Sequence, residues 1–327
     1  MLVIINNKVF NLIFLSITLI FLINIEMGKK VISLLILTFF ILNYIIAQDT
    51  LNHSSDVQKN ALIISLISGS AFFSGAISSI SYFKNDEPCG FHFINDNKGY
   101  LQTDKLKHSY GSYIASNIGY QVLLNAGVKK KSALLLGGTM GLLILTPKEI
   151  FDGFSKDGGF SWGDMLADGA GSALFVGQEL LFGKQIANYK FSFSRSKYAR
   201  QANGFLGRNL LQSFFQDYNG HTFWLSINAN KIFLKTKLPD WVNLAAGYSA
   251  NGMFGEFENI DSFNGVDIPE TRRYRQYLFS FDIDWSKIKT RSGFLRTIFK
   301  GMNYIKVPFP AFEINSLGKL KGYWIYF

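Results

Sequence analysis

Between Asp104 and Asp168 the chain sets three pairs of ionisable side chains into otherwise apolar sequence. Asp104 and His108 are four residues apart in DKLKH, Glu149 and Asp152 three apart in KEIFD, and Asp164 and Asp168 four apart in DMLAD. Spacings of three and four stack both members of a pair on one helix face. An ionised group buried without a partner costs several kcal/mol, so apolar helices carrying such pairs are expected to pack with the pairs facing one another. That requirement limits the arrangements open to the amino-terminal half more than any other feature of the sequence.

Each residue also has an ordinary explanation. Asp104 suits the first turn of a helix that Thr103 can cap. Glu149 and Asp164 stand in capping-box positions behind Thr146 and Ser161, and Asp152 precedes Gly153 at a helix end. A lone histidine on a helix is more often structural than catalytic. The combination carries the functional reading: His108 as general base or ligand, Glu149 and Asp164 as its carboxylate partners, and Asp104 as the group orienting His108. Lys105 is the expected contact for an anionic group, with Asp152 and Asp168 as further binding residues. One histidine among acids is a weak metal signal, so neither a metal nor any other cofactor is specified. The sequence has no phosphate loop or HExxH motif.

Around this stretch the pattern is helical. One helix is expected from Thr103 to the Asn125–Gly127 stop. Another is apolar from Lys129 to Leu145 and kinked or restarted at Pro147, and a third runs from Ser161 to about Phe182. A small-residue-rich helix over 61–83 makes about four of near-spanning length. Two earlier apolar runs, 9–25 and 31–46, are separated by MGKK. The second resembles a secretory signal with cleavage near Ala47 or Gln48 and a start at Met27; the alternative is a pair of membrane helices in an inner-membrane protein. No cysteine adjoins the cleavage site. The one cysteine, Cys89, excludes an internal disulfide and a cysteine-based zinc cluster.

From Tyr189 the texture changes to alternation, with KFSFSRS, TFWLSINAN, NLAAGYSANGM, RQYLFSFDIDWS, PAFEIN and GYWIYF reading as about six strands. Phe205–Phe215 and Ser292–Tyr304 read as helices, and the Asn-Gly of DYNG as a hairpin turn. The aromatic ending resembles that of outer-membrane barrels, although single-chain barrels begin at about eight strands. A partial sheet on a membrane, a small barrel and an ordinary soluble sheet all fit the alternation. The fold class is therefore α+β, a helical bundle followed by an antiparallel β-rich domain. The expected division is 1–48 (signal or apolar segments), 49–188 (helical) and 189–327 (β-rich).

The net charge of +10 favours an anionic partner. The basic residues are dispersed among strand-like aromatic segments and no nucleic-acid motif is present, so membrane lipids with anionic head groups are expected rather than nucleic acid. An envelope protein is a further candidate partner.

DKLKH, KEIFD and SWGDMLADGAG together resemble the D-K-x-x-H … E … D-x-x-x-N-x-x-G pattern of the VanZ-like and YfiM-like membrane or periplasmic families. DYNGHTFWLS and LPDWVNLAAGYSANGM resemble the longer envelope proteins of the YfiM-like group. The resemblance carries over Asp104, Lys105, His108, Glu149, Asp164 and Gly171. Asp168 stands where the pattern has Asn, and the lipoprotein cysteine is absent from its expected place. The resemblance implies a periplasmic envelope protein without an assigned reaction; outer-membrane association is the expectation from the barrel-like aromatic ending, with the inner membrane as the alternative. Two functions follow as expectations. One is a structural ion-pair network with the β half docking to a membrane or partner; the other is an envelope enzyme using acid–base or metal chemistry on a lipid-linked or glycan substrate.

Overall fold

The computed structural model describes residues 65, 69, 89–232 and 238–327. The expected signal segment and nearly all of the helix expected over 61–83 lie outside the described residues. The rest falls into two compact units, one holding 89–94 and Ile118–Met165, the other Asn95–Asn117 and Leu166–Phe327. Helices α1 (Thr103–Asn125) and α4 (Trp162–Phe182) each begin in one unit and end in the other.

In the first unit, α1 stops where Gly127 takes φ +78°, a left-handed conformation that glycine adopts without steric cost. The apolar run then forms two helices, α2 (Lys130–Gly137) and α3 (Met140–Asp152), separated at Gly138–Thr139, where one helix was expected. A Cβ at Gly137 would fall on the backbone of Tyr120, which lets the end of α1 approach α2 closely. Helix α3 runs through Pro147 instead of restarting there. Thr146 does not cap it; its hydroxyl donates to the Leu142 carbonyl at 2.7 Å, on the turn where proline lacks an N–H. The expected Thr146–Glu149 capping box is therefore not formed. The stretch Lys130–Asp152 is the one run among the described residues long and apolar enough to cross a membrane by length and composition. Two short strands, β1 (Phe93–Ile94) and β2 (Phe160–Ser161), pair in parallel beneath a cluster of Phe91, Phe154 and Trp162.

The second unit is built on a six-stranded antiparallel sheet. Its strands are β3 (Ala187–Phe193), β4 (His221–Asn228), β5 (Val242–Asn251), β8 (Tyr274–Ile283), β9 (Phe309–Asn315) and β10 (Leu320–Tyr326), in spatial order 10-9-8-5-4-3. All six correspond to segments read as strands from their alternation. The short pair β6 (Ser262–Phe263) and β7 (Val266–Asp267) forms a separate hairpin. Among the described residues the sheet does not close into a barrel, and β3 takes its outer hydrogen bonds from the segment around Tyr304–Lys306. Helices α5 (Leu210–Gln216) and α6 (Gly293–Met302) sit in the two stretches read as helical, capped by Asn209 and Ser292. The Asn-Gly of DYNG makes a single turn ahead of β4, not a hairpin between strands.

The two faces of this sheet have inverted polarity. The buried face carries Lys190, Ser226, Asn243, Gln276, Asp282, Glu313 and Asn315. Lys190 Nζ lies 2.7 Å from Asp282, both fully buried, and also donates to the Ile283 carbonyl. Ser226 donates to Asp282 at 2.6 Å, and Asn243 to Ser226. At the other edge Gln276 and Asn315 both donate to Glu313. A small apolar patch of Trp224, Ala245 and Leu278 lies between these two networks, with the Trp224 ring seated where Gly247 lacks a side chain.

The opposite face is apolar on all six strands apart from His221 and Arg275 at one end. Over β3 and β4 it is covered: Tyr110 of α1 packs on Tyr189, Phe191 and Phe223, and Phe214 of α5 on Phe191 and Phe193. Over β8, β9 and β10 it is bare from Tyr277 onward, whereas on β5 Ala250 is buried and the Tyr248 hydroxyl donates to the Leu101 carbonyl. Phe279 opposes Ala246 and Phe312, and Tyr277 opposes Ile314. Phe279 and Phe281 are each 54% exposed and Phe312 is 73% exposed.

Candidate functional site

In the sheet unit, the first half of α1 and the body of α4 cross closely because the sequence supplies small residues at the crossing. A Cβ at Gly171 would fall on the carbonyl oxygen of Ser109, so that position admits only glycine at this distance. Below it Ser112 donates to the Asp168 carbonyl at 2.6 Å, and Ser112 and Ser116 each bond Ser172 at 2.8 and 2.9 Å.

This crossing brings two of the expected residues into direct contact. His108 Nδ1 lies 3.1 Å from Asp168 Oδ1, both side chains buried. With Asp168 ionised, Nδ1 carries the proton and the imidazole is held in one tautomer and orientation. Asp168 Oδ2 is buried without a hydrogen-bond partner among the described residues. One turn earlier on α1, Asp104 offers a carboxylate oxygen within 4.8 Å of a ring nitrogen of His108.

Asp104 is surrounded by donors and cations. Tyr218 donates its hydroxyl to Asp104 at 2.9 Å, and Lys105 lies 3.5 Å from the other carboxylate oxygen. Burial alone would raise the Asp104 pKa, but His108, Lys105, the Tyr218 hydroxyl and Lys107 outweigh it and hold the carboxyl below its ordinary range. Lys105 makes a closer pair with Asp96 at 2.6 Å, so it is engaged by the protein's own carboxylates. Lys107 donates to the Tyr218 hydroxyl and lies over its ring, which stacks on Tyr100 at 3.9 Å. Burial, then Glu256 and Asp104, push the Tyr100 hydroxyl up to about 12. Burial, then Asp104 and Asp96, likewise raise Glu256.

Asp164, in the first turn of α4, is one helical turn ahead of Asp168; its N–H is accepted by Ser161 Oγ at 3.0 Å, as the spacing predicts. Glu149 and Asp152 belong to the other unit and share a cation, Lys148, at 3.0 and 2.7 Å. Glu149 is almost fully buried, and Asp152 is tied back one turn to Lys148 rather than ending its helix alone in solvent.

Sequence reasoning passed over Tyr218, Asp96, Glu256 and Lys148. Lys148 had a signal, being four residues ahead of Asp152. Tyr218 had none, since its position inside a turn motif hides a hydroxyl that reaches 114 residues back. Its flanking residues Asp217 and His221 hold the turn. Asp217 accepts from the Ser196 N–H and hydroxyl and from Asn219, and His221 Nε2 contacts the Phe214 carbonyl.

The arrangement can hold or pass a proton at His108, with Asp168 as orienting carboxylate. Asp104 and His108 supply donor atoms of the kind a divalent cation uses. The two ammonium groups of Lys105 and Lys107 beside Asp104 oppose a cation electrostatically.

Residues 90–178 match the model of a family described as "predicted periplasmic lipoprotein (DUF2279)". The matched stretch contains all seven residues singled out above and Gly171. It carries that description, and neither the VanZ-like nor the YfiM-like name. The family has no assigned function, and its description is in keeping with a periplasm-facing envelope location. No curated protein and no solved structure matches the chain.

Proposed function

We propose that this is an envelope protein seated in a lipid bilayer by the bare face of its sheet, with the buried polar cluster of α1 and α4 fixing how those helices pack. The observation that carries the reading is the inverted polarity of the sheet. An antiparallel sheet in water buries its aromatic face and solvates its polar one. Here Lys190, Asp282 and Glu313 are inside, while Phe279, Phe281, Phe312 and Ile314 are outside. That is the arrangement of sheets whose outer solvent is hydrocarbon, and a contiguous exposed apolar patch of this kind marks a membrane or partner surface. Strands β5 and β8 have ten residues each, the length of a tilted membrane strand.

The test is Phe279→Arg, with unfolding by urea followed in phospholipid vesicles. Arginine at a lipid-facing strand position costs about 2–4 kcal/mol, whereas a surface substitution in water stays within about 0.5 kcal/mol. A loss in the first range supports the reading, and a loss in the second contradicts it.

A second reading, an envelope enzyme using acid–base chemistry on a lipid-linked or glycan substrate, is favoured by one observation: the His108–Asp168 pair leaves a buried carboxylate oxygen unpartnered. Asp168→Asn separates the two readings. A structural role predicts reduced folded yield; a catalytic role predicts normal yield with loss of the envelope phenotype.

A further inference from the structure

Helix α6 is unlike the other helices of the sheet unit. None of its residues is buried, and its one ring contact among the described residues is Phe299 on Trp285 at 5.8 Å. Phe294, Leu295 and Ile298 form an exposed apolar side, while Arg296 and Lys300, four residues apart, occupy the opposite side. A ten-residue helix with this division, left off the protein core, matches an interfacial helix lying in a membrane surface.

Its position and charge say which part of the membrane it meets. The helix joins the end of β8 to the start of β9, two strands of the bare face. From Trp285 to Pro310 the chain has six basic residues, of which Lys306 is buried and the other five are exposed, and no acidic one. Lys184 precedes β3, Lys231 follows β4 and Lys287 follows β8, and the register of these antiparallel strands puts all three at one end of the sheet; burial first, then the charges of Lys184 and Lys287, lower the Lys231 ammonium below its ordinary range. Asp284, beside the group, is engaged by Ser286 and Asn303. At the other end of the strands, the connecting segments 194–220 and 252–273 together carry six basic residues against six acidic ones. Net positive charge is thus concentrated at the α6 end, next to the apolar face.

We infer that α6 and the Lys184–Lys231–Lys287 rim bind anionic phospholipid head groups and set which end of the sheet lies at the charged surface. This rests on the reading that the sheet's bare face contacts hydrocarbon, and it adds the lipid class and the orientation. Each basic residue near an anionic surface contributes attraction that salt screens.

The test uses the full chain, carrying an environment-sensitive fluorophore at Phe279→Cys in a Cys89→Ser background. It is mixed with vesicles of phosphatidylcholine alone or containing phosphatidylglycerol. The fluorophore reports whether the sheet face enters hydrocarbon, and partition reports lipid preference. The expected result is insertion in both, tighter with phosphatidylglycerol. Lys287→Gln/Arg296→Gln/Lys300→Gln should lose on the order of a hundredfold of that anionic preference while the fluorophore still reports insertion. Equal partition to both vesicles, or an anionic preference unchanged in the triple variant, would overturn the head-group inference and leave the sheet reading standing. A fluorophore that stays in water in both vesicles would overturn the sheet reading and this inference with it.

Discussion

At the scale of single residues, Asp104 has the most informative surroundings. Its carboxyl is held below the ordinary range because His108, Lys105, Tyr218 and Lys107 together outweigh the cost of burial. A depressed folded-state pKa contributes stability that is present above the unfolded value, near 4, and lost as pH falls through the folded one. The stability difference between the native chain and Asp104→Asn should therefore be largest near neutral pH and shrink below about pH 4, as read by urea unfolding across that range. Tyr218→Phe removes one donor to a charged acceptor and should cost about 1.5–3 kcal/mol at neutral pH; a cost near zero would show that the bond is not made. The i, i+4 pairs were legible because helix geometry alone fixes them. Asp104 with His108, and Asp164 with Asp168, needed only the 3.6-residue period. Which pairs then meet depends on the helix crossing, and Tyr218 and Asp96 depend on distant chain segments that no local pattern encodes.

At the scale of elements, the crossing of α1 and α4 turns on Gly171. Gly171→Ala places a methyl group against the Ser109 carbonyl, and the helices must part or the backbone must shift. The expected loss is about 1–3 kcal/mol, and the His108–Asp168 contact should lengthen, read as a change in the His108 ring resonances by NMR. The buried Lys190–Asp282 pair behaves differently. Lys190→Met alone leaves a buried carboxylate without its cation and should cost about 3–5 kcal/mol, while adding Asp282→Leu should recover much of that loss. Element boundaries followed the sequence closely where terminators are strong: α1 covers Thr103–Asn125 ahead of Gly127, and all six strands fall on alternating segments. They departed from it in the apolar run after Lys129. There a break at Gly138–Thr139 and continuity through Pro147 both come from packing and hydrogen bonding, which composition does not reveal.

At the scale of the whole molecule, the deciding property is one the sequence leaves ambiguous. Alternation assigns Tyr277, Phe279 and Phe281 to one face of β8 and Gln276, Ser280 and Asp282 to the other, but a period of two does not say which face is inside. The fold answers it: the polar set is buried and hydrogen-bonded, the aromatic set outward and bare. The most direct test is a cysteine scan along β8 from Gln276 to Asp282 in a Cys89→Ser background. Each variant is labelled with a fluorophore, reconstituted in phospholipid vesicles and challenged with a lipid-borne quencher. The account predicts quenching at Tyr277, Phe279 and Phe281 and protection at Gln276, Ser280 and Asp282. Quenching without alternation, or access of a water-soluble quencher to the three aromatic positions, would contradict it.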